Sequence, residues 1–136
     1  MPEPKVFIDT NILLYLLSTD TLKADRAEAV VRTGGLISVQ VLNELANVAR
    51  RKLAMPWIEI NALLELIRSV CPVAPLTVET HDRGRVIAER YKLNVYDAMI
   101  VAAALLAECE TLYSEDMQDR LLIDQQLRIR NPFKAM

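Results

Sequence analysis

Glycine is scarce in this sequence, three residues in 136, and none falls in a GxGxxG or P-loop pattern. A phosphate-cradling loop of either kind is therefore ruled out. The single histidine, His81, lies in a helical pattern with no partner, so Ser–His and Cys–His nucleophilic arrangements are not supported. Two cysteines, Cys71 and Cys109, sit in apolar surroundings without metal-ligand spacing. They read as buried free thiols, in keeping with a reducing cytoplasm. Aromatic residues make up only 5%, which leaves little stacking surface for single-stranded bases. No apolar run approaches the ~18–20 residues that span a bilayer. Residues 1–5 lack the basic-then-apolar pattern of a signal peptide, so neither export nor membrane association is expected.

The chain does have apolar residues, 52% of the total, with an ordinary 25% charged. Its length suits a single domain, residues 1–136, with a sizeable core. A net charge of −2 argues against nucleic-acid binding by bulk charge. Setting four carboxylates aside for a metal site leaves the remainder net positive, so an RNA substrate stays open.

Short β-branched runs alternate with longer helical patterns. Val6-Phe7-Ile8 reads as a buried parallel strand that stops at Asp9. Residues 11–17 suggest a short buried helix, and residues 22–31 a second helix closed by Gly34-Gly35. Leu36-Ile37 is a brief strand, and Ser38 suits the cap of a helix over 39–52. Pro56 is placed in the first turn of another helix, with the stripe Ile60, Leu63, Leu64 and Ile67. Residues 72–76 make at best a short strand, and Thr77 can cap a helix to about Leu93, with Gly84 inside it. Residues 96–107 are apolar nearly all round, as in a buried helix; Thr111-Leu112-Tyr113 is a strand, and residues 127–129 are read as a final edge strand. Such alternation predicts an α/β fold, a three-layer α/β/α sandwich with a mainly parallel central sheet.

Four acids stand at related places in that pattern. Asp9 and Asp116 close strands, while Glu44 and Asp97 lie in the early turns of helices. In an open α/β sheet these positions share one edge, where ligands bind. Each acid has a plain structural use as a helix cap, dipole partner or solvated side chain. Asp97 is the least easily dismissed, being the only charged residue between Val95 and Ala107. Four carboxylates drawn together would repel unless cations were bound. With no histidine or cysteine placed to join them, an all-oxygen site favours Mg²⁺ or Mn²⁺ over zinc or copper. Acid-only metal sites suit attack of an activated water on a phosphodiester.

The ordered motifs Asp-Thr-Asn (9–11), Asn-Glu-Leu (43–45), Tyr-Asp-Ala (96–98) and Ser-Glu-Asp-Met-Gln-Asp (114–119) resemble those of a PIN domain. More narrowly they are similar to VapC-type toxins of bacterial toxin–antitoxin pairs, over residues 6 to about 133. The resemblance implies a Mg²⁺- or Mn²⁺-dependent ribonuclease whose metal site is formed by Asp9, Glu44, Asp97 and Asp116. It implies supporting roles for Thr10, Asn11, Ser38 and Ser114, with Asp119 counted beside them. It further implies a homodimer restrained by a cognate antitoxin. One departure is Arg120, where many relatives carry glycine. Candidate RNA-contacting cations are Arg50, Arg51 and Lys52; Arg83, Arg85 and Arg90; and Arg128, Arg130 and Lys134. Trp57, Ile58, Leu66 and Val70 widen their helix's apolar face, for a deep core or for a partner. Two rival readings stay open: a metal-binding PIN-like module without turnover, and a metal-dependent phosphatase using Asp9 as nucleophile. The second lacks a further acid at position 11, which is Asn.

Overall fold

Phe7 and Ile8 of the first strand, β1 (Val6–Ile8), are completely buried, as a strand covered on both faces requires. The computed structural model describes residues 5–134; most of the N-terminal stretch examined for a leader lies outside them. After β1 come α1 (Thr10–Leu14), a single 3-10 turn (Tyr15–Leu17) and α2 (Thr21–Arg32). Gly34 then takes φ +80°, the left-handed turn that lets the chain reverse into β2 (Ile37–Ser38). There follow α3 (Val39–Arg51), α4 (Trp57–Val70), β3 (Val73–Ala74), α5 (Val78–Tyr91) and α6 (Val95–Leu106). The chain ends with β4 (Thr111–Tyr113), β5 (Leu122–Ile123) and β6 (Leu127–Arg130).

One ladder runs β1-β4-β6-β5 and a second pairs β2 with β3. A parallel bridge between Phe7 and Leu36 joins them, so the strands lie in the order 3-2-1-4-6-5. All pairings are parallel except β5 with β6. From β1 the chain moves to one side for β2 and β3, and later to the other for β4. The point of reversal lies between β1 and β4, where a doubly wound sheet opens a crevice at its carboxyl edge.

Helices flank this sheet. Along α6 every residue from Ala98 to Leu105 is buried, so this helix joins the core formed by Phe7, Leu45, Leu112 and Ile129. α5 crosses α6 at Gly84, where a Cβ would stand 2.5 Å from Met99 Cε. That close approach accounts for a residue that weakens a helix interior by about 1 kcal/mol. No helix among the described residues is long and apolar enough to cross a membrane.

Three readings of the sequence are corrected. β6 is an inner strand, with Leu127 and Ile129 buried and a neighbour on each side. The edge belongs to β5, a strand of only two residues. Its hairpin turn passes through Asp124 and Gln125, both left-handed at φ +50° and +57°, without the glycine that usually marks such turns. Pro56 is the N-cap of α4 and does not enter the first turn. The outer apolar residues of α4 are not core either: Ile58 is 80% exposed and Leu66 64%.

Candidate metal centre

Asp9 leaves β1 with extended geometry and caps α1, accepting a 2.7 Å hydrogen bond from the Thr10 N–H on Oδ1. Its other oxygen accepts from the Ser114 hydroxyl at 2.7 Å and from Asn11 Nδ2 at 3.0 Å. Asn11 Oδ1 in turn takes the Glu115 N–H at 3.0 Å, and Ser114 Oγ takes the Met117 N–H at 3.3 Å. The loop after β4 is thus fastened to the end of β1 through one carboxylate. That carboxylate is only 2% exposed.

The remaining acids reach the same crevice from other elements. Thr10 donates its hydroxyl to Glu44 Oε1 at 3.0 Å, and Gln40, one turn earlier on α3, donates to Oε2 at 3.0 Å. Asp97, half-buried in the first turn of α6, accepts from Asn94 Nδ2 at 2.8 Å, while Asn94 Oδ1 caps its N–H. Asp116 is exposed on the loop after β4. Burial, reinforced by the charges of Asp97 and Glu44, pushes the Asp9 carboxyl up to about 7 against the lowering pull of its hydrogen bonds. Asp97 is raised as well, by burial first and then by the charges of Glu44 and Asp116. Each acid therefore lies in the field of at least one other.

None of these four carboxylates has a Lys or Arg partner within 4 Å among the described residues. Other acids of the chain do: Glu115 with Lys23, Asp119 with Arg120 and Lys134, Asp124 with Arg83 and Arg90. The site is held by neutral donors alone, so its negative charge is uncompensated. As the side chains stand, no three His, Cys, Asp or Glu residues of the described chain are gathered tightly enough to hold an ion. Hydrogen bonds from Thr10, Gln40 and Asn94 hold two of the carboxylates towards their own surroundings, and a cation would compete with those neutral donors. In donor chemistry and in charge the residues fit a hard divalent cation.

The family model of the PIN domain matches residues 6–121. The chain belongs to the PIN domain family. Similar solved structures include a toxin–antitoxin complex from Klebsiella pneumoniae, 23% identical with a TM-score of 0.69, covering 95% of this chain and 98% of that one. A sarcin–ricin-loop-cleaving VapC toxin from Mycobacterium tuberculosis is 17% identical with a TM-score of 0.67, over 82% and 90% of the two chains. A VapBC complex from Rickettsia felis bound to promoter DNA is 18% identical with a TM-score of 0.65, over 93% and 98%. At these identities the likeness is one of fold. No curated protein matches the chain.

In this PIN domain the expected supporting residues divide. Thr10, Asn11 and Ser114 touch the acids directly. The Ser38 hydroxyl, wholly buried, accepts the Val41 N–H at 3.2 Å and so caps α3. Asp119 accepts the Asn131 N–H at 2.8 Å and faces Lys134, tying down the C-terminal segment. Gln40 and Asn94 were not among the sequence candidates, although both carried a signal. Gln40 lies four residues before Glu44 on a helix face, and Asn94 is a capping residue type just ahead of an apolar run. A groove of about 490 Å³ opens beside Glu44, lined by Gln40, Asn43, Asn47 and Val48 of α3 and by Tyr96 of α6. Tyr96, 66% exposed, supplies stacking surface where a composition poor in aromatics gave little reason to expect it. The two cysteines are buried and free, and burial pushes Cys109 up to about 11, which makes it a poor nucleophile.

Proposed function

We propose that this PIN domain is a divalent-metal-dependent ribonuclease and the toxin of a toxin–antitoxin pair. The observation that carries this reading is a set of four carboxylates at the β1–β4 crevice with no cationic partner among the described residues. PIN-family members are nucleases that generally use divalent metals, and the solved relatives include a toxin that cleaves the sarcin–ricin loop. Asp9, Glu44, Asp97 and Asp116 would hold Mg²⁺ or Mn²⁺. Held there, the ion would supply Lewis-acid chemistry: a more acidic water to attack the phosphodiester and positive charge beside the leaving oxygen.

The chain's own groups prepare that site. Ser114, Asn11 and the Thr10 N–H fix the Asp9 carboxylate in one rotamer, and Thr10 and Gln40 hold Glu44. Asn94 orients Asp97. Burial raises the Asp9 carboxyl to about 7, so a substantial fraction stays protonated near neutral pH and cation binding there releases protons. The groove beside Glu44 gives a single RNA strand a place to lie against Tyr96 and the α3 amides. Working in the cytoplasm, the protein is expected to be a homodimer restrained by its antitoxin; the solved toxin–antitoxin relatives support the second point.

Purified protein, freed of any antitoxin, should cut single-stranded or tRNA-like RNA with Mg²⁺ or Mn²⁺ and stop in EDTA. Asp9→Asn and Asp97→Asn should each abolish cleavage while circular dichroism remains that of the wild type. Equal cleavage by wild type and variants would sink the assignment. Intact RNA together with hydrolysis of a small phosphomonoester would favour the phosphatase reading.

A further inference from the structure

Of the nine cations that could meet RNA, most already have work within the fold. Arg50 donates to the Met55 carbonyl at 3.1 Å and lies over the Trp57 ring. Arg83 and Arg90 both engage Asp124, and Arg85 engages Asp82. Lys134 faces Asp119. Arg51, Lys52, Arg128 and Arg130 have no acidic partner within 4 Å among the described residues. Of these, Arg128 and Arg130 project from the same face of β6, two residues apart. With Arg120 they line a concavity of about 260 Å³ to which no other described residue contributes.

The backbone explains the convergence. Arg120 takes φ +71°, and in that conformation its N–H donates to the Ile129 carbonyl at 2.8 Å. Its own carbonyl accepts from Arg128 Nη1 at 2.8 Å. The loop from Asp116 is thereby folded back over β6, which sets the Arg120 side chain beside the other two. Among the described residues, the one acid within 4 Å of these guanidinium groups is Asp119, 3.9 Å from Arg120 Nε. Three guanidinium groups sharing one hollow repel each other, and they present planar donor forks suited to phosphate oxygens.

The hollow lies beside the acid site. Register aligns Ile8 with Tyr113 and Tyr113 with Arg130, and the Ser114 N–H bonds the Arg130 carbonyl at 3.0 Å. Two strand spacings, about 10 Å, separate the end of β1 from Arg130. The groove at Tyr96 opens beside α3, which follows β2 on the opposite flank of β1.

We infer that Arg120, Arg128 and Arg130 form a subsite for the phosphodiester backbone of the RNA substrate, seating the strand as it leaves the acid site. The inference rests on the ribonuclease reading for the identity of its ligand. The strand would then cross the carboxyl edge of the sheet from the Tyr96 groove, over the acids, to the arginines.

The test separates this subsite from the ribonuclease assignment. Binding of a labelled single-stranded RNA is followed by fluorescence anisotropy over a KCl series, in an Asp97→Asn background that blocks turnover. Arg128→Gln with Arg130→Gln should weaken binding about tenfold at low salt. Each phosphate contact contributes about 0.7 to the slope of log affinity on log salt for a single strand, so the slope should flatten by about 1.4. Arg32→Gln with Arg85→Gln, which removes an equal charge elsewhere on the surface, should leave slope and affinity near those of the parent. In otherwise wild-type protein, the arginine variants should raise KM for cleavage and leave kcat within about twofold. An unchanged slope and affinity would overturn the subsite, even in a protein that cleaves RNA. A flattened slope in a protein that never cleaves RNA would uphold the subsite and sink the ribonuclease reading. A loss of kcat without change in binding would mean that the arginines only support the loop carrying Asp116, and would also overturn the proposal.

Discussion

A carboxyl group buried to within 2% of full enclosure, with no cation beside it, holds its proton unusually tightly even though three neutral donors favour its ionised form. Asp9 is raised from 3.8 to about 7 by burial foremost. Because the folded protein binds this proton more tightly than the unfolded chain, the stability it contributes is fully present below pH 3.8. It declines as pH rises and is lost above about 7. At 1.36 kcal/mol per pKa unit that difference amounts to roughly 4 kcal/mol. The metal-free wild type should therefore lose melting temperature between pH 4 and 7 relative to Asp9→Asn, which cannot ionise. Mg²⁺ or Mn²⁺ should restore stability at pH 8 to the wild type but not to the variant. Superposable melting profiles across that range would contradict the account. Arg120 poses the opposite problem, a non-glycine residue at φ +71°. Left-handed backbone costs such a residue about 1–2 kcal/mol, and glycine's greater unfolded-state freedom offsets about half of this. Arg120→Gly should thus gain up to about 1 kcal/mol, read as a melting temperature higher by about 2–4 °C. The same variant should bind RNA more weakly if the arginine hollow is a phosphate subsite. A variant no more stable than wild type would mean that the left-handed backbone carries no strain.

At the level of elements, two serines that the sequence placed together turn out to act differently. Ser114 joins the β4 loop to Asp9 through its hydroxyl, whereas Ser38 bonds the N–H of its own helix. Ser114→Ala should destabilise by about 1–3 kcal/mol and lower cleavage some 10- to 100-fold, as loss of a ligand-orienting residue does. Ser38→Ala should cost about 1 kcal/mol as a lost cap, with cleavage changed far less. Chemical denaturation and initial rates on both variants would decide, and a reversed order of activities would refute the division. The helical pattern already marked Ser38 as a cap, whereas the reach of Ser114 to Asp9 was not legible, because the two residues lie 105 apart in sequence. Longer features were legible for a physical reason. Apolar runs ending at Asp9 and after Tyr113, and the unbroken apolar helix behind Asp97, follow from burial and periodicity. β5 was hidden by its two-residue length and a turn without glycine. The inner place of β6 depends on that missed partner. Convergence of the acids could be inferred from topology, and four of their donors lie within four residues of the acid they hold. The bonds from Thr10 to Glu44 and from Ser114 to Asp9, however, depend on side-chain placement across 34 and 105 residues of sequence.

On the scale of the whole molecule, the surplus apolar surface is concentrated on α4. Its core stripe, Ile60 and Ile67, is buried, while Ile58, Ala62, Leu66 and Val70 recur every four residues along an exposed face. Trp57 adds a ring that is 54% exposed. Scattered apolar side chains are normal on a surface, but a continuous helical stripe is the kind of patch that a partner covers. A stable interface buries about 800 Å² on each partner, within reach of a fourteen-residue helix and its neighbours. A self-complementary pairing through this face would give the proposed homodimer, with the acid centres of both copies left on the carboxyl edges of their sheets. Light scattering should then report about twice the 15.4 kDa chain mass for the wild type. Ile58→Glu with Leu66→Glu should give the single-chain mass, with the thermal transition of the remaining fold retained because neither residue faces the core. A wild type that is monomeric at micromolar concentration would rule out the dimer. A double variant that remains dimeric would move the interface off α4 and leave its stripe available to the antitoxin, testable by adding the antitoxin to the same variant.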